Sequence, residues 1–474
     1  MSFDTEAPST ETDDNSFWAI LREAIRGSKR DFTRGSIGLA IFLLAVPMIL
    51  EMLGESLFAI VDIFFVAKLG AEAVATVVLT EAIMALIYAV AFGLAIGATA
   101  TVARRVGEKD ESGAAKTAAH VIYLGVIMSL TMSAIGIFFA PYILSALGAE
   151  PIVIARGTTF MRVMLGGNAV VVFIFLLNAI FRGAGDAAIA MRVLLLANSL
   201  NIILSPCFIF GVGPFPELGV TGAAVGTTIG RGIGVLYAAW RLFRPGGRIH
   251  VDRESWRLDP KLLWKLVKLS STAVLQFLVA TASWSALVRV VAGFGSEALA
   301  GYGIALRIVM FALLPALGLS NAAATMVGQN LGAGKPERSE SAVWRAALFN
   351  SVVYFGIGVL FYFFSYSIVG FFTDVPGVLS YGRSALHIIA YGFAFCGLGM
   401  VLETAFNGAG DTWTPTWLNL FVFWIFEIPM AYLLAYSFGM GPDGVFWALT
   451  MAFSLLAVAS GILFKRGKWK TKKV

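Results

Sequence analysis

Three acidic side chains lie in one long apolar stretch, residues 36–65. At 100° per residue, Glu51, Glu55 and Asp62 fall within about 40° of one another on a helix, so they form one acidic stripe. A charge in hydrocarbon costs on the order of a few kcal/mol, and such groups usually face a bundle interior or a watery cavity. The stripe therefore predicts a path for an ion or a substrate. For Glu51 and Glu55 the alternative is protonation, or hydrogen bonding to neighbouring helices.

The composition is typical of a membrane protein. Of the 474 residues, 58% are hydrophobic and 14% are charged, and the mean hydropathy is +0.82, whereas soluble proteins average about 25% charged residues. The net charge of +6 comes from loops between apolar segments, which indicates membrane orientation rather than a nucleic-acid partner. Cys207 and Cys396 lie in apolar segments and the three histidines are scattered, so we expect no disulfide framework, metal cluster or cofactor.

Apolar segments and short polar gaps alternate along the chain. The segments long enough to cross a bilayer are 36–66, 73–101, 117–140, 158–182, 187–211, 219–243, 262–293, 297–324, 341–371, 384–407, 413–438 and 444–464. Lysine and arginine concentrate before the first segment, between the second and third, around the central connection and at the end of the chain. The positive-inside rule then places both termini in the cytoplasm. The sequence therefore predicts an all-α, multi-pass protein of the plasma membrane with twelve transmembrane helices.

The first 34 residues are predicted to form a cytoplasmic tail. Ser16 is suited to cap a short helix in which Phe17 and Ile20 share an apolar face, a pattern typical of a helix lying on a membrane surface. A simple polar tail with a few apolar residues is the alternative. No cleavable signal peptide is expected, because a long polar stretch precedes the first apolar segment.

The chain contains an internal repeat. PheArgGlyAlaGlyAsp at 181–186 recurs as PheAsnGlyAlaGlyAsp at 406–411, an offset of 406 − 181 = 225 residues. Other matches keep this offset without a gap. Each half holds six segments, so the two halves have the same topological sense, which is one of the known plans of transporters. We expect six-helix bundles at 35–243 and 262–465, joined by a loop at 244–261 and followed by a basic tail at 466–474.

The repeat is broken where polar groups lie. Asp62 pairs with Leu287 and Asn201 with Phe426 at the same offset, which favours a cation site in the first bundle only. Asn201 and Ser205 are four residues apart and share a helix face, while Thr227 and Thr228 add hydroxyls from the next segment. Such oxygens suit a small cation such as sodium, a carboxylate alone suffices for a proton, and hydrogen bonding across helices is the alternative. The charged residues of the second bundle are expected to be paired structural groups; they are Arg289, Arg307, Glu403 and Glu427.

Two apparent enzyme motifs fail on their context. GlyAlaGlyLys at 332–335 is followed by proline and lacks the upstream glycine of a phosphate-binding loop. GlyAlaGlyAsp at 183–186 and 408–411 matches a short motif of intramembrane aspartyl proteases, but both copies fall at the end of an apolar segment, where glycine and aspartate suit a helix stop and the next cap. We therefore expect no enzyme activity, with a protease as the remote alternative.

Several motifs in this order resemble the multidrug and toxic compound extrusion (MATE) family, over about residues 34–465. The motifs are ValProMetIle and PheAlaIleValAspIlePhePheVal in the first segment, LeuGlyAlaGluAlaValAla after it, AlaArgArgValGly at 103–107, PheArgGlyAlaGlyAsp at 181–186 and SerLeuAsnIleIleLeuSerProCysPheIlePhe at 199–210. Together they are most similar to the prokaryotic branch with its cation site in the N-terminal lobe.

The resemblance implies a two-lobed, monomeric antiporter that exports cationic or amphipathic organic compounds in exchange for protons or sodium. Asp62 corresponds to the aspartate of the family's first helix, Asn201 to the asparagine of its fifth helix, and Ala223 and Thr227 to site positions of its sixth helix. Ser205 departs from the family, because site-bearing relatives have an aspartate there, so the sequence favours proton coupling. A sodium ion at Asp62, Asn201 and Thr227 is the alternative.

Other consequences of the resemblance concern acidic residues and related proteins. Glu55, and as a further cavity charge Glu51, are candidates to replace the carboxylate missing at Ser205. The acidic residues of another branch have no match in the second bundle, where Gln276 and Cys396 lie in the relevant helices.

A flippase for lipid-linked precursors, from the same wider superfamily, is the alternative function, although such proteins usually have additional spans and a cationic cavity.

Overall fold

The computed structural model describes residues 16–472, apart from the side chain of Ala71, and these residues form helices and short connections. The helices of the first half are α1 (Phe17–Arg26), α2 (Ile37–Ala67), α3 (Ala71–Gly107), α4 (Glu111–Ala146), α5 (Pro151–Gly166), α6 (Asn168–Ala184), α7 (Ala187–Phe210) and α8 (Val220–Phe243). Those of the second half are α9 (Pro260–Ala292), α10 (Ser296–Gly332), α11 (Pro336–Gly370), α12 (Pro376–Gly408), α13 (Trp413–Asn419), α14 (Ile428–Tyr432) and α15 (Pro442–Lys465).

Twelve membrane crossings follow from these helices within the described residues. Eleven are both long and apolar enough to span a bilayer, with α5–α6 counted together and Trp413–Ser437 counted together. The twelfth is α8, whose 24 residues include several glycines and the charged Arg231. The predicted all-α fold with twelve transmembrane helices is confirmed, and we call α2–α8 the first lobe and α9–α15 the second lobe.

The structure differs from the sequence prediction mainly at the ends and interruptions of helices. α4 begins at Glu111 and ends at Ala146, well beyond the predicted 117–140, because a helix continues past the apolar core of a bilayer into polar residues. The fourth crossing is broken at Gly167, between α5 and α6. The eleventh crossing contains two stretches of π-helix, at Leu420–Glu427 and Leu433–Ser437. By contrast, α2 continues as one helix through Pro47.

The two lobes meet at one side of the molecule. We define the terminal face as the side that carries α1, the connection 244–259 and the C-terminal end of α15. Phe92 stacks on Phe277 at 5.3 Å between ring centroids near the middle of the molecule, and from there to the terminal face α3 and α10 pack closely. All inter-lobe hydrogen bonds and ring contacts found among residues 16–472 lie in this half. No hydrogen bond or ring contact joins the lobes in the half facing away from the termini within residues 16–472, so we call it the open half.

The repeated GlyAlaGlyAsp turns lie on the terminal face and help to join the lobes. Gly185 and Gly410 end their helices with φ of 82° and 81°, a left-handed conformation that glycine adopts at little cost. Thr325 Oγ1 of the second lobe donates to the carbonyl of Arg182 at 3.2 Å, and Gln329 Nε2 donates to that of Gly183 at 3.0 Å. Both turns therefore end a helix, as the sequence predicts, and the first of them also joins the two lobes.

Candidate functional site

The acidic stripe of α2 divides into paired and unpaired carboxylates. Glu51 is 1% exposed, and its Oε1 accepts hydrogen bonds from Arg182 Nη1 at 2.9 Å and from Asn178 Nδ2 at 3.2 Å. Both donors lie on α6, and neither lines the cavity at Asp62. Glu51 therefore forms a buried ion pair that ties α2 to α6.

Glu55 is also paired, one turn further along α2. Its Oε1 accepts a hydrogen bond from Arg231 Nη2 at 2.7 Å and its Oε2 accepts one from Asn198 Nδ2 at 3.0 Å. Arg231 is 3% exposed, its guanidinium lies 5.2 Å from the ring centroid of Phe58, and its Nε and Nη1 have no hydrogen-bond partner within the described chain. A fixed cation therefore lies inside the first lobe with donors to spare.

Asp62 has no such partner. Its Oδ1 is buried, and no hydrogen bond to it is formed by residues 16–472. Asp62 opens into a cavity of about 40 Å³, enough for a few water molecules because each needs about 10–15 Å³. The lining residues are Asp62, Val77, Thr80, Glu81, Met84, Phe160, Met164, Ala223, Ala224 and Thr227. Asp62 is thus the member of the stripe whose carboxylate is free to take a proton or a cation.

The polar residues predicted from α7 and α8 form a chain beside this cavity. Asn201 Nδ2 donates to Thr227 Oγ1 at 2.7 Å, and Ser205 Oγ donates to Asn201 Oδ1 at 3.1 Å. Gly226 and Gly230 bring α8 against Ser205 and Asn201, as small residues do between membrane helices. Thr227 and Ala223 line the Asp62 cavity, whereas Asn201 and Ser205 reach it only through Thr227. Thr228 instead donates to the carbonyl of Ala224 on its own helix.

Three residues near the stripe were missed by the sequence analysis. Arg182 and Arg231 neutralise Glu51 and Glu55, and Glu81 lines the Asp62 cavity. Each was visible as a charged residue inside an apolar segment, and Arg231 stands four residues after Thr227, on the same helix face. Glu81 lies close enough to Asp62 for the two charges to repel, and Arg307 of the second lobe attracts it. The lining of the Asp62 cavity is therefore acidic.

Few oxygen ligands surround Asp62 in the described part of the chain. No group of three or more His, Cys, Asp or Glu side chains that could hold a metal occurs in the described part of the chain. The amide of Asn201 and the hydroxyl of Ser205 are already bonded to one another. A hard cation takes several oxygen ligands, of which Asp62 and Thr227 offer few, whereas a proton needs one carboxylate oxygen.

Comparison with known proteins identifies the family. The family model described as MatE matches residues 47–207 and again residues 273–433, and the two matches start 273 − 47 = 226 residues apart. The chain belongs to the MatE family. MatE proteins are transporters, so the chain is a multi-pass membrane transporter rather than an enzyme. The two matches lie within one residue of the offset of 225 read from the sequence, so the internal repeat is also confirmed.

Individual MatE relatives agree over nearly the whole chain. The chain is similar to the probable multidrug resistance protein NorM of Thermotoga maritima, with 24% identity covering 91% of this chain and 93% of that protein. It is also similar to the FAD transporter of Shewanella oneidensis, with 25% identity covering 91% and 95%. A solved structure described as the outward-facing conformation of a multidrug resistance MATE family transporter of the MOP superfamily superposes with a TM-score of 0.87, 26% identity and coverage of 92% and 97%.

Proposed function

We propose that this chain is a plasma-membrane antiporter that exports cationic or amphipathic organic compounds in exchange for protons, with sodium as the alternative coupling ion. The observation that carries the proposal is the contrast within the acidic stripe. Glu51 and Glu55 each have an arginine partner, whereas Asp62 has a buried oxygen without a hydrogen bond and faces a water-sized cavity. An unpaired carboxylate at membrane depth is the expected form of a coupling group.

The preference for protons is supported by the groups around Asp62. Ser205 brings no negative charge, and its hydroxyl is used by Asn201. Arg231 is already bound to Glu55, so its charge is largely offset and does not decide between the two ions. A proton needs no ligand shell, whereas a sodium ion takes several oxygen ligands, so the few oxygens around Asp62 favour a proton. Glu55 is bound to Arg231 and therefore does not replace the carboxylate missing at Ser205.

Alternating access follows from the way in which the lobes meet. With the terminal face in the cytoplasm, as the distribution of lysine and arginine favours, the sealed half is cytoplasmic and the open half faces outward. Protonation of Asp62 from outside removes a charge from α2 and changes how the far half of that helix, beyond Pro47, packs against α7 and α8. Repacking of α2 then shrinks the first-lobe side of the space between the lobes, and the compound is released outward.

The acidic lining of the Asp62 cavity supports a cationic or amphipathic compound. Glu81 and Asp62 are the ionisable groups in this lining, and their negative field attracts a positively charged compound that lies outside this water-sized cavity. Their charges also make binding of the compound and of the proton competitive, which is what exchange requires. Relatives named as multidrug resistance proteins agree with this class of cargo, although a relative named as an FAD transporter handles a different compound.

Export of fluorescent organic cations from cells tests the proposal. Cells that express the wild-type chain should retain less dye than control cells, and Asp62→Asn should abolish the difference. Glu72→Gln is a matched control, because Glu72 is an exposed carboxylate paired with Arg156 at the far end of the same lobe. Equal export by Asp62→Asn and wild type, at equal amounts of protein in the membrane, would show that Asp62 is not the coupling group.

A further inference from the structure

A carboxyl group and a phenol hydroxyl lie unpaired in the interior of the second lobe. Glu427 is 0% exposed, and both of its Oε atoms are buried without a hydrogen-bond partner among residues 16–472. The hydroxyl of Tyr302 is also buried and unpaired, and it lies within electrostatic range of Glu427. The expectation that Glu427 is a paired structural group is therefore wrong.

Another acidic residue of the same lobe shows what a paired carboxylate looks like here. Oε1 of Glu403 accepts hydrogen bonds from Gln276 Nε2 at 2.7 Å and from Asn419 Nδ2 at 2.8 Å. Buried polar groups in proteins nearly always have such partners, and a buried ionised carboxylate without a donor is very costly. Glu427 is therefore a neutral carboxylic acid in this conformation, and its proton has no fixed acceptor.

The backbone around Glu427 is irregular. Leu420–Glu427 and Leu433–Ser437 are π-helical, a conformation that is rare and is often found at functional sites. A π-helical turn holds an additional residue, so it rotates the side chains that follow it. The repeat pairs Asn201 with residue 201 + 225 = 426, and Phe426 is only partly buried whereas Glu427 is fully buried. The π-helix thus turns the neighbouring residue, Glu427, into the lobe at the counterpart of Asn201.

Tyr302 also occupies a position related to the first-lobe cavity. It pairs with Val77, because 77 + 225 = 302, and Val77 lines the cavity of Asp62. Its ring is stacked on Phe446, with centroids 6.0 Å apart and planes at 9°, so the hydroxyl is held in place. By the repeat, Tyr302 therefore corresponds to a residue that lines the Asp62 cavity, and Glu427 lies next to the counterpart of Asn201.

The surroundings limit what this pair can bind. The π-helix packs on α9, α13, α14 and α15. The ionisable groups of those helices lie elsewhere: Arg289 and Tyr432 are exposed, Asp443 accepts a hydrogen bond from Ser384, and the lysines of α9 and α15 lie toward the terminal face. One carboxyl group and one hydroxyl are too few ligands for a metal ion. A proton is the ligand that fits.

We propose that Glu427 is a second proton-binding site, separate from Asp62. The proton is held on a carboxyl oxygen in the conformation described above. When the second lobe rearranges and water reaches Glu427, the proton passes to water, and the Tyr302 hydroxyl donates a hydrogen bond to the carboxylate that remains. The release step rests on the proposed function, because it occurs in the transport cycle.

Infrared spectroscopy of the purified protein in lipid nanodiscs tests the resting state without any transport. The spectrum of the wild type minus that of Glu427→Gln should show the carbonyl band of a buried, protonated carboxylic acid, because the bands of all other carboxyl groups cancel. This band should remain in Asp62→Asn and in the control Glu403→Gln, and it should shift in Tyr302→Phe. Absence of the band from the difference spectrum would overturn the proposal even if drug export is confirmed.

Exchange in proteoliposomes tests the release step. The dependence of dye exchange on proton concentration should fall by one proton in Glu427→Gln, since the number of protons taken up sets the slope with pH. Tyr302→Phe should keep that slope but shift the pH at half-maximal rate, which a purely structural role would not do. A proton dependence in Glu427→Gln equal to that of wild type would refute the release step. Absence of proton-driven exchange in the wild type would count against the release step and the proposed function, while the infrared result still decides the site.

Discussion

Removing one partner of the Arg231–Glu55 ion pair should destabilise the fold, whereas removing both partners should cost much less. Arg231 Nη2 and Glu55 Oε1 are 2.7 Å apart, with the side chains 3% and 22% exposed. At an effective dielectric constant of about 20 two charges at this distance attract by about 6 kcal/mol. Removing both charges from water costs several kcal/mol for each ion. The pair therefore contributes little net free energy to folding, although each charge depends on the other.

Arg231→Met should lower the free energy of unfolding by about 3 kcal/mol, at the low end of the range for breaking a buried pair, because it leaves the partly buried Glu55 with only the amide of Asn198. The double variant Arg231→Met/Glu55→Gln should regain most of this loss, since no unpaired charge remains. Unfolding of the purified protein in detergent, followed for both single variants and the double variant, gives the coupling free energy.

The exposed pair of Arg156 and Glu72 is the matched control. Its atoms approach to 2.6 Å, but the side chains are 68% and 50% exposed, so Arg156→Met should cost less than about 1 kcal/mol. The reasoning would be refuted if Arg231→Met cost no more than Arg156→Met. It would also be refuted if the double variant were as unstable as Arg231→Met alone.

Two further predictions concern the terminal face. A Cβ at Gly332 would overlap the carbonyl oxygen of Arg104, whereas one at Gly303 on the same helix would meet nothing within 4 Å. Gly332→Ala should therefore separate the lobes at this face, and a spin-label distance measured across the face should increase. The control Gly303→Ala should leave this distance unchanged. The hydrogen bond from Lys116, with that from the backbone N–H of Leu262, lowers the pKa of Asp259 to about 2, below the value of about 3.9 in an unfolded chain. Asp259 therefore stabilises the fold above about pH 4, and this contribution is lost as the pH falls toward about 2. Asp259→Asn should lower the thermal midpoint of unfolding at neutral pH, and this loss should become smaller below about pH 4. The exposed control Asp374→Asn should leave the midpoint unchanged. A loss in Asp259→Asn that stays the same at every pH would contradict the reasoning.

Hydropathy and the internal repeat were sufficient to predict the fold. Apolar segments set the number of crossings, and the repeat set the relation between the lobes, because both depend on patterns along the chain. The ends of α4 and the π-helices near Glu427 could not be predicted in this way. The ends of α4 lie outside the apolar core of the bilayer, where hydropathy gives no signal. The π-helices depend on how α9 and α15 pack around the eleventh crossing.

The site was predictable where symmetry is broken and unpredictable where partners are distant in sequence. Asp62 stood out because Leu287 replaces it in the other half. Nothing local indicates that Glu51 is bonded to Arg182, 131 residues later, or Glu55 to Arg231, 176 residues later. One stripe of equivalent-looking carboxylates therefore proved to contain two ion pairs and one unpaired group, a distinction that only the packing of α6 and α8 against α2 creates.

The most direct test of the central claim is exchange of a fluorescent cation by the purified protein in proteoliposomes, with pH and sodium gradients imposed separately. We predict that a pH gradient drives exchange by the wild type at clamped sodium, and that Asp62→Asn loses this response while Glu72→Gln keeps it. A sodium gradient that drives exchange at clamped pH, with no response to a pH gradient, would contradict proton coupling. A pH-driven response retained in Asp62→Asn would contradict the role of Asp62 itself.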